Sequence, residues 1–347
     1  MPYSRLLGEY LADFGGKAGV LEKAIDKTAL ITTEQLYQQL ETNPRAKVNQ
    51  HELLKARLFD FIIGDHDRGE DNLLWQATEK DDFTWFTPIP KTRKSYFTKI
   101  DGLLPSILKN LVPKVQHFDY KIKDPSRLAI NARNLDRNLL NELDRSDWLE
   151  ITKELQSHLS AEAINEAVKI MPTEVYKIDG EQISRKLISR VENLQETALS
   201  YYNILSKSVR LTGSQANDII DIYKTTDSTT IRINNGDKNI YERNFSNAKT
   251  RQIQLYTLGG RDSVNIKGNS ENPIKIRVIG GEDEDALTSH SENKHLYYYD
   301  DLSGNFTGKR GKRFLSDKNW INDFNRNDFN YNTAGFSPTA NLYNAKD

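Results

Sequence analysis

The chain of 347 residues has no cysteine, which excludes disulfides and thiolate metal sites and suits an exported envelope protein as well as a cytoplasmic one. No apolar run approaches twenty residues, so no segment reads as a membrane-spanning helix. The N-terminus, Met1 to Gly8, lacks the apolar core of a signal peptide. Neither sign of charge is in excess: 48 Lys and Arg face 49 Asp and Glu, and no global field draws the chain to nucleic acid or anionic lipid. The six histidines, His51, His66, His117, His158, His290 and His295, fall in no standard metal spacing. A G-x-S-x-G nucleophile elbow and a dinucleotide fingerprint are missing, and Gly15-Gly16-Lys17 lacks the rest of a P-loop and reads as a turn.

Chemistry is concentrated between Leu58 and Trp75, LFDFIIGDHDRGEDNLLW. Asn49 and Glu52 have the spacing of a capping box, and Leu54, Leu58, Phe61 and Ile62 fall on one helical face that Gly64 terminates. A buried helix thus leads into a loop, residues 65–71, with four carboxylates and one arginine. Leu73 to Gln76 and the aromatic run Phe83 to Thr87, separated by a polar turn, read as a hairpin. Helix, charged loop and hairpin is the order of a kinase catalytic loop. There an Asp orients the attacking hydroxyl, an Asn five residues later holds Mg²⁺, and an Asp beyond the hairpin holds metal against the phosphates. Asp67 and Asn72 have the five-residue spacing.

The string Asp67-Arg68-Gly69-Glu70-Asp71-Asn72 resembles the D-R-H-x-x-N loop of the atypical kinases of HipA, phosphatidylinositol and secretory-pathway type, with Gly69 in place of the histidine. With the flanks LLGEYLADFGG, PIPKTRKSYFTKIDGLLP and NARNLDRNLLNEL, the chain resembles a family of Bacteroidetes-type cell-envelope proteins. In these a kinase-like segment precedes a BamA/TamA-type outer-membrane barrel, sometimes with a metallophosphoesterase domain upstream. The usual family loop reads G-D-W-D-R-H-E-D-Q-W-R-W, so the likeness is tightest over residues 58–75.

The resemblance implies that Asp67 is catalytic, that Asn72 and Asp101 are metal ligands, and that Asp65 and Arg68 support them. Mg and a nucleotide are the implied cofactors of a full-length protein. The location it implies is the periplasmic side of the outer membrane, reached through a C-terminal barrel absent from this chain. Two departures weigh against catalysis. The family's acidic R-D-R-D-Q-A-F after P-I-P stands here as Lys91-Thr92-Arg93-Lys94-Ser95-Tyr96-Phe97, and Asp101 lies 29 residues after Asn72, far for one hairpin. A kinase also needs a small lobe, for which there is no room before Leu58, and the periplasm supplies no ATP.

Residues 1–206 are expected to form the kinase-like large-lobe segment of an α+β protein. It includes a strand at 19–24 and helices from Thr32 and at 126–144, 147–158, 161–170 and 181–207. Ser146 and Ser160 are expected N-caps, Pro172 and Asp179-Gly180 breaks. The stripe Ile183, Leu187, Val191, Leu194, Ala198, Tyr201 or Tyr202 reads as core. Arg133, Asp136 and Arg137 either support the loop at Asp67 or form a solvated helix face with an internal ion pair.

Residues 207–303 read as an all-β domain, a sandwich or a short solenoid-like stack, with strands at 219–224, 229–233, 239–245, 252–258, 263–267, 274–279 and 294–300. Leu258-Gly259-Gly260-Arg261-Asp262 is echoed 21 residues later by Ile279-Gly280-Gly281-Glu282-Asp283. Gly-Gly-x-Asp is similar to the turns of calcium-binding β-rolls, with Asp262 and Asp283 as ligands, but the full nonapeptide repeat is missing and stacked tight turns with Asx-type caps are the better reading. Residues 304–347, rich in Asn and aromatics, read as an extended linker toward a barrel, so both ends look cut.

The sequence therefore predicts a periplasm-side module of an outer-membrane, surface-antigen-like protein with a degenerate kinase-like loop. Its alternatives are an active Mg-dependent phosphotransferase at full length, or a stand-alone non-catalytic binding module, cytoplasmic if the chain is complete.

Overall fold

The computed structural model describes residues 30–94, 97, 117–281, 283–292, 294–308, 311–316 and 324–327. The expected strand at 19–24 and Asp101 lie outside them. Everything below belongs to one compact unit that starts at Ile31, apart from Leu30. Among the described residues the architecture is α+β, with helices first and parallel strands after.

Helix α1 (Thr33–Thr42) starts from a capping box: Thr32 Oγ1 accepts the Gln35 N–H and Gln35 Oε1 accepts the Thr32 N–H. Helix α2 (Gln50–Ile63) is capped by Asn49, whose Oδ1 accepts the Glu52 N–H. Gly64 ends it in the left-handed conformation, φ 75°. The last carbonyls of a helix lack intrahelical donors. Here Arg190 supplies them, its Nη1 donating to Phe61 O and Ile62 O while its guanidinium lies 3.7 Å from the Phe118 ring centre. The loop then leads into strands β3 (Leu73–Lys80) and β4 (Phe83–Pro90), an antiparallel hairpin. Strands β1 (Leu30–Thr32) and β2 (Ala46–Val48) flank it in the order β1-β3-β4-β2.

The expected helix at 126–144 is two short ones, α3 (Pro125–Leu128) and α4 (Arg133–Leu139). Between them Ala129 and Ala132 are buried, and a turn rather than helix carries them into the core. Helix α5 (Arg145–His158) is capped by Asp144, not Ser146, because the carboxylate accepts both the Ser146 and Asp147 N–H groups. Ser160 caps α6 (Ala161–Lys169) as expected. No break occurs at Asp179-Gly180: the π-turn Tyr176–Gly180 runs straight into α7 (Glu181–Glu192). Gly180 is there because a β-carbon would collide with the Tyr176 ring. Asn193 divides α7 from α8 (Leu194–Leu205). Leu194, Ala198 and Tyr201 are fully buried, as the apolar stripe implied.

From Ser208 the chain winds between two sheets. Strands β5 (Ser208–Thr212), β9 (Gln252–Tyr256), β11 (Lys275–Ile279), β13 (Leu296–Asp300) and β15 (Lys312–Leu315) stack in parallel as one sheet. The second sheet has β6 (Asp218–Lys224), β10 (Ser263–Gly268), β12 (Ala286–Ser289) and β14 (Asn305–Gly308), also parallel, with an antiparallel hairpin β7 (Ser228–Asn235) and β8 (Lys238–Ser246) beside β6. Apart from the β6-β7-β8 run, successive strands alternate sheets, so this is a two-sheet parallel solenoid rather than an antiparallel sandwich.

Its interior is built from columns of like residues. Ile220, Val264, Leu287 and Phe306 share one column, and Val209, Ile253, Ile276 and Leu296 another. Each fully buried aliphatic contributes about 1.5–3 kcal/mol. Coil-to-coil contact is close enough that a β-carbon on Gly281 would overlap the Leu258 carbonyl, which accounts for the glycine pair in the turn.

The two regions are joined at several points. Asn141 Nδ2 donates to Arg210 O at 3.1 Å, and Tyr241 Oη and Arg243 Nη1 donate to Asn141 O. Residues 324–327 add a strap: the buried Arg210 donates to Asn325 O and Arg326 O, with the rings of Tyr256 and Phe324 each 5.6 Å away. Arg326 pairs with Glu34 and lies over the Tyr37 ring.

Candidate functional site

Asp60 organises the loop from below. In the run Leu58-Phe59-Asp60-Phe61-Ile62 it is the one polar residue, and its side chain is fully buried. Isolated buried carboxylates are too costly to stand alone. Three cations meet this one: Arg68 through Nε and Nη2 (2.9 and 3.0 Å), Arg57 through Nη1 (2.8 Å), and Arg93 Nε at 3.6 Å. The network continues in both directions. Arg57 Nε donates to Asp136 Oδ1 (2.8 Å), and Tyr201 Oη donates to Asp136 Oδ2 (2.7 Å). Arg68 Nη2 also reaches Asp65 Oδ2 (3.2 Å), and its Nη1 reaches Asn72 O (3.0 Å).

Burial disfavours the charged form of Arg57, but the Asp136 and Asp60 carboxylates outweigh it and hold the guanidinium above its ordinary value. The Tyr201 hydroxyl is pushed well up by burial and then by Asp136, so it serves as a neutral donor. Asp136 is thus a buried tie between α4, α2 and α8, not part of a solvated helix face.

On this base the loop has one shape. Asp65 Oδ1 accepts the Asp67 N–H (3.1 Å), and Asn131 Nδ2 donates to His66 O (3.0 Å). Asn72, in the short 3-10 turn Glu70–Asn72, donates its Nδ2 to Asp67 O at 2.8 Å. That bond fixes which end of the amide is committed to the loop and leaves Oδ1 as the end available to a ligand. Asp67 and Asn72, paired by sequence spacing, are therefore joined in space.

The segment after the hairpin lies across the loop. Lys91 N–H donates to Asn72 O (3.0 Å), Lys94 N–H donates to Asp65 Oδ2 (3.2 Å), and Lys94 Nζ is 2.6 Å from Asp67 Oδ2. Arg93 stacks 4.6 Å from the Phe59 ring centre. Lys94, the last residue of the cationic run Lys91-Thr92-Arg93-Lys94, thus lies against the candidate catalytic carboxylate. The Lys94 ammonium next to Asp67 repels a divalent cation, and Asp101, the second implied ligand, lies outside the described residues.

Asp65 and Arg68, singled out as supporting residues, touch each other directly. Asp60 escaped notice; its signal was a single carboxylate inside an apolar helical run, three residues after Arg57. In the β region the two turn aspartates make the contacts expected of stacked tight turns. Asp262 is buried and accepts the Asp218 N–H (2.7 Å), while Asp283 accepts the Gly260 N–H (3.1 Å), so both act as backbone caps.

Comparison with known proteins finds no family that matches this chain, no similar curated protein and no similar solved structure.

Proposed function

We propose that residues 31–206 are a kinase-like module whose catalytic loop keeps its shape but has lost its metal chemistry. The module would act as a non-catalytic, periplasm-side part of an outer-membrane, surface-antigen-like protein. The observation that carries this reading is the 2.6 Å contact between Lys94 Nζ and Asp67 Oδ2. A general base must accept the proton of a bound hydroxyl, and the lysine occupies one of the two oxygens that could do so. The order of helix, loop and hairpin, together with the Asn72 to Asp67 bond, supports descent from a phosphotransferase loop. Attachment to the membrane through a barrel outside this chain rests on the resemblance of the flanking segments.

Calorimetric titration of the whole chain with Mg·ATP tests the reading. No saturable heat is expected from wild type. Saturable binding that Asp67→Ala abolishes would favour an active phosphotransferase instead. Fractionation of cells with an antibody to this segment tests the location, which a purely soluble product would exclude.

A further inference from the structure

The solenoid turns carry a column of buried aspartates. The pairing of Ser263 with Ile219 and with Ala286 places Asp218, Asp262 and Asp285 one above another on successive coils. All three are at most 2% exposed. Each of the upper two caps the coil before it: Asp262 Oδ1 accepts the Asp218 N–H at 2.7 Å, and Asp285 Oδ1 accepts the Asp262 N–H at 2.9 Å.

The number of donors each carboxyl receives separates the three. Asp218 takes donors from Ser214 N, Ser214 Oγ and Asn235 Nδ2. Asp285 takes them from Asp262 N, Thr257 Oγ1 and Gly281 N. Three donors suit an ionised carboxylate. Asp262 receives only the Asp218 N–H, and its Oδ2 is buried without a donor. The Thr257 hydroxyl directs its single proton to Asp285 Oδ2 (2.9 Å) or Ile279 O (3.3 Å).

The charged groups around Asp262 are unfavourable to a second anion. Asp218 faces it from β6 and Asp285 from the next coil, while Asp283 adds its charge on Asp285. Asp300, bonded to Tyr298, stands beyond Asp285, with Asp301 beside it. Arg261, next in the chain, has an exposed side chain.

We infer that Asp262 is a carboxylic acid in the neutral protein, and that its proton latches three successive coils together by keeping a third charge out of the buried column of Asp218, Asp262 and Asp285. Loss of that proton to water leaves three adjacent carboxylates and loosens the stack. Burial, with the Asp285 and Asp218 charges, pushes Asp262 up to about 9, and burial also raises Asp285. A raised carboxyl stabilises the fold fully below its unfolded value of about 3.9, and this contribution is lost as pH rises through the folded value.

Urea unfolding of the whole chain from about pH 5 to about pH 9 tests the latch, across the window in which the folded and unfolded acids differ. The wild-type midpoint is expected to fall as pH rises, and that fall is expected to shrink in Asp262→Asn, which keeps the acceptor for Asp218 but carries no titrating proton. An unchanged slope in Asp262→Asn overturns the inference. Should that variant fail to fold, infrared spectra of the wild type at neutral and alkaline pH decide. A carboxylic-acid carbonyl band is expected at neutral pH and is expected to fade as pH rises through about 9; its absence from the neutral wild type overturns the latch.

Discussion

Asp60 grips Arg68 with both carboxylate oxygens, Nε on Oδ2 and Nη2 on Oδ1, and both side chains are at most 1% exposed. A planar fork on a carboxylate sets orientation as well as distance. The loop therefore takes its position from the interior of α2 and not from contacts at the surface.

Removing one partner of a buried pair costs about 3–5 kcal/mol, because the other charge is left uncompensated. Asp60→Asn and Arg68→Met are each expected to lower stability by about that amount in urea unfolding, since both residues sit in one network. The double variant should cost less than the sum of the two, which a double-mutant cycle reads directly.

The Lys94 to Asp67 contact belongs to another class. Its side chains are 53% and 39% exposed, and such a surface pair is worth about 0–1 kcal/mol. Lys94→Ala is therefore expected to change stability by less than about 1 kcal/mol. It uncovers Asp67 without disturbing the scaffold, so any gain in Mg·ATP affinity over wild type can be assigned to the site.

Lys224 gives a pH effect opposite in sign to the aspartate column. Its Nζ is buried and has no hydrogen-bond partner, and burial pushes the ammonium down to about 8. The unfolded chain then binds more protons than the fold between about 8 and about 10.4, so this residue makes stability rise with pH across that window. Lys224→Met removes the cost of burying the charge. At neutral pH it is expected to raise stability by about 1–3 kcal/mol and to abolish the alkaline rise, both measurable by urea unfolding at several pH values.

Gly281→Ala asks for space that the Leu258 carbonyl already fills. The obstacle is backbone, which cannot rotate away, and the coil must shift. The expected outcome is a loss of more than about 2 kcal/mol, with a lowered thermal midpoint. Gly69→Ala has open space around the added carbon and is the matched control.

The sequence made α2, its cap, the hairpin and most strands readable because each carries a local period: 3.6 from Leu54 to Ile62, and two along Ile274 to Val278. Caps were less secure: Ser146 precedes the helix expected at 147–158, but the helix starts at Arg145 and Asp144 caps it. The parallel stacking of the strands was not legible, because register depends on contacts between residues as distant as Ile220 and Val264. Strands β5, β12, β14 and β15 are four or five residues long, too short for alternation to stand out. At the site, spacing joined Asp67 to Asn72. The polarity of Asp60 was masked by its apolar neighbours, and Lys94 became part of the site only once the hairpin folded back.

The β7–β8 hairpin has one further consequence. It interrupts the winding after the first coil and lies antiparallel against β6, so on that side the regular template stops. Among the described residues the opposite side ends on β14 and β15, both in register with the strands before them. The stack thus has a direction. A coil inserted beyond β13 would leave the hairpin unaltered, so the reach of the β region is adjustable in steps of one coil for as long as residues 324–327 can return to Arg210 and Glu34.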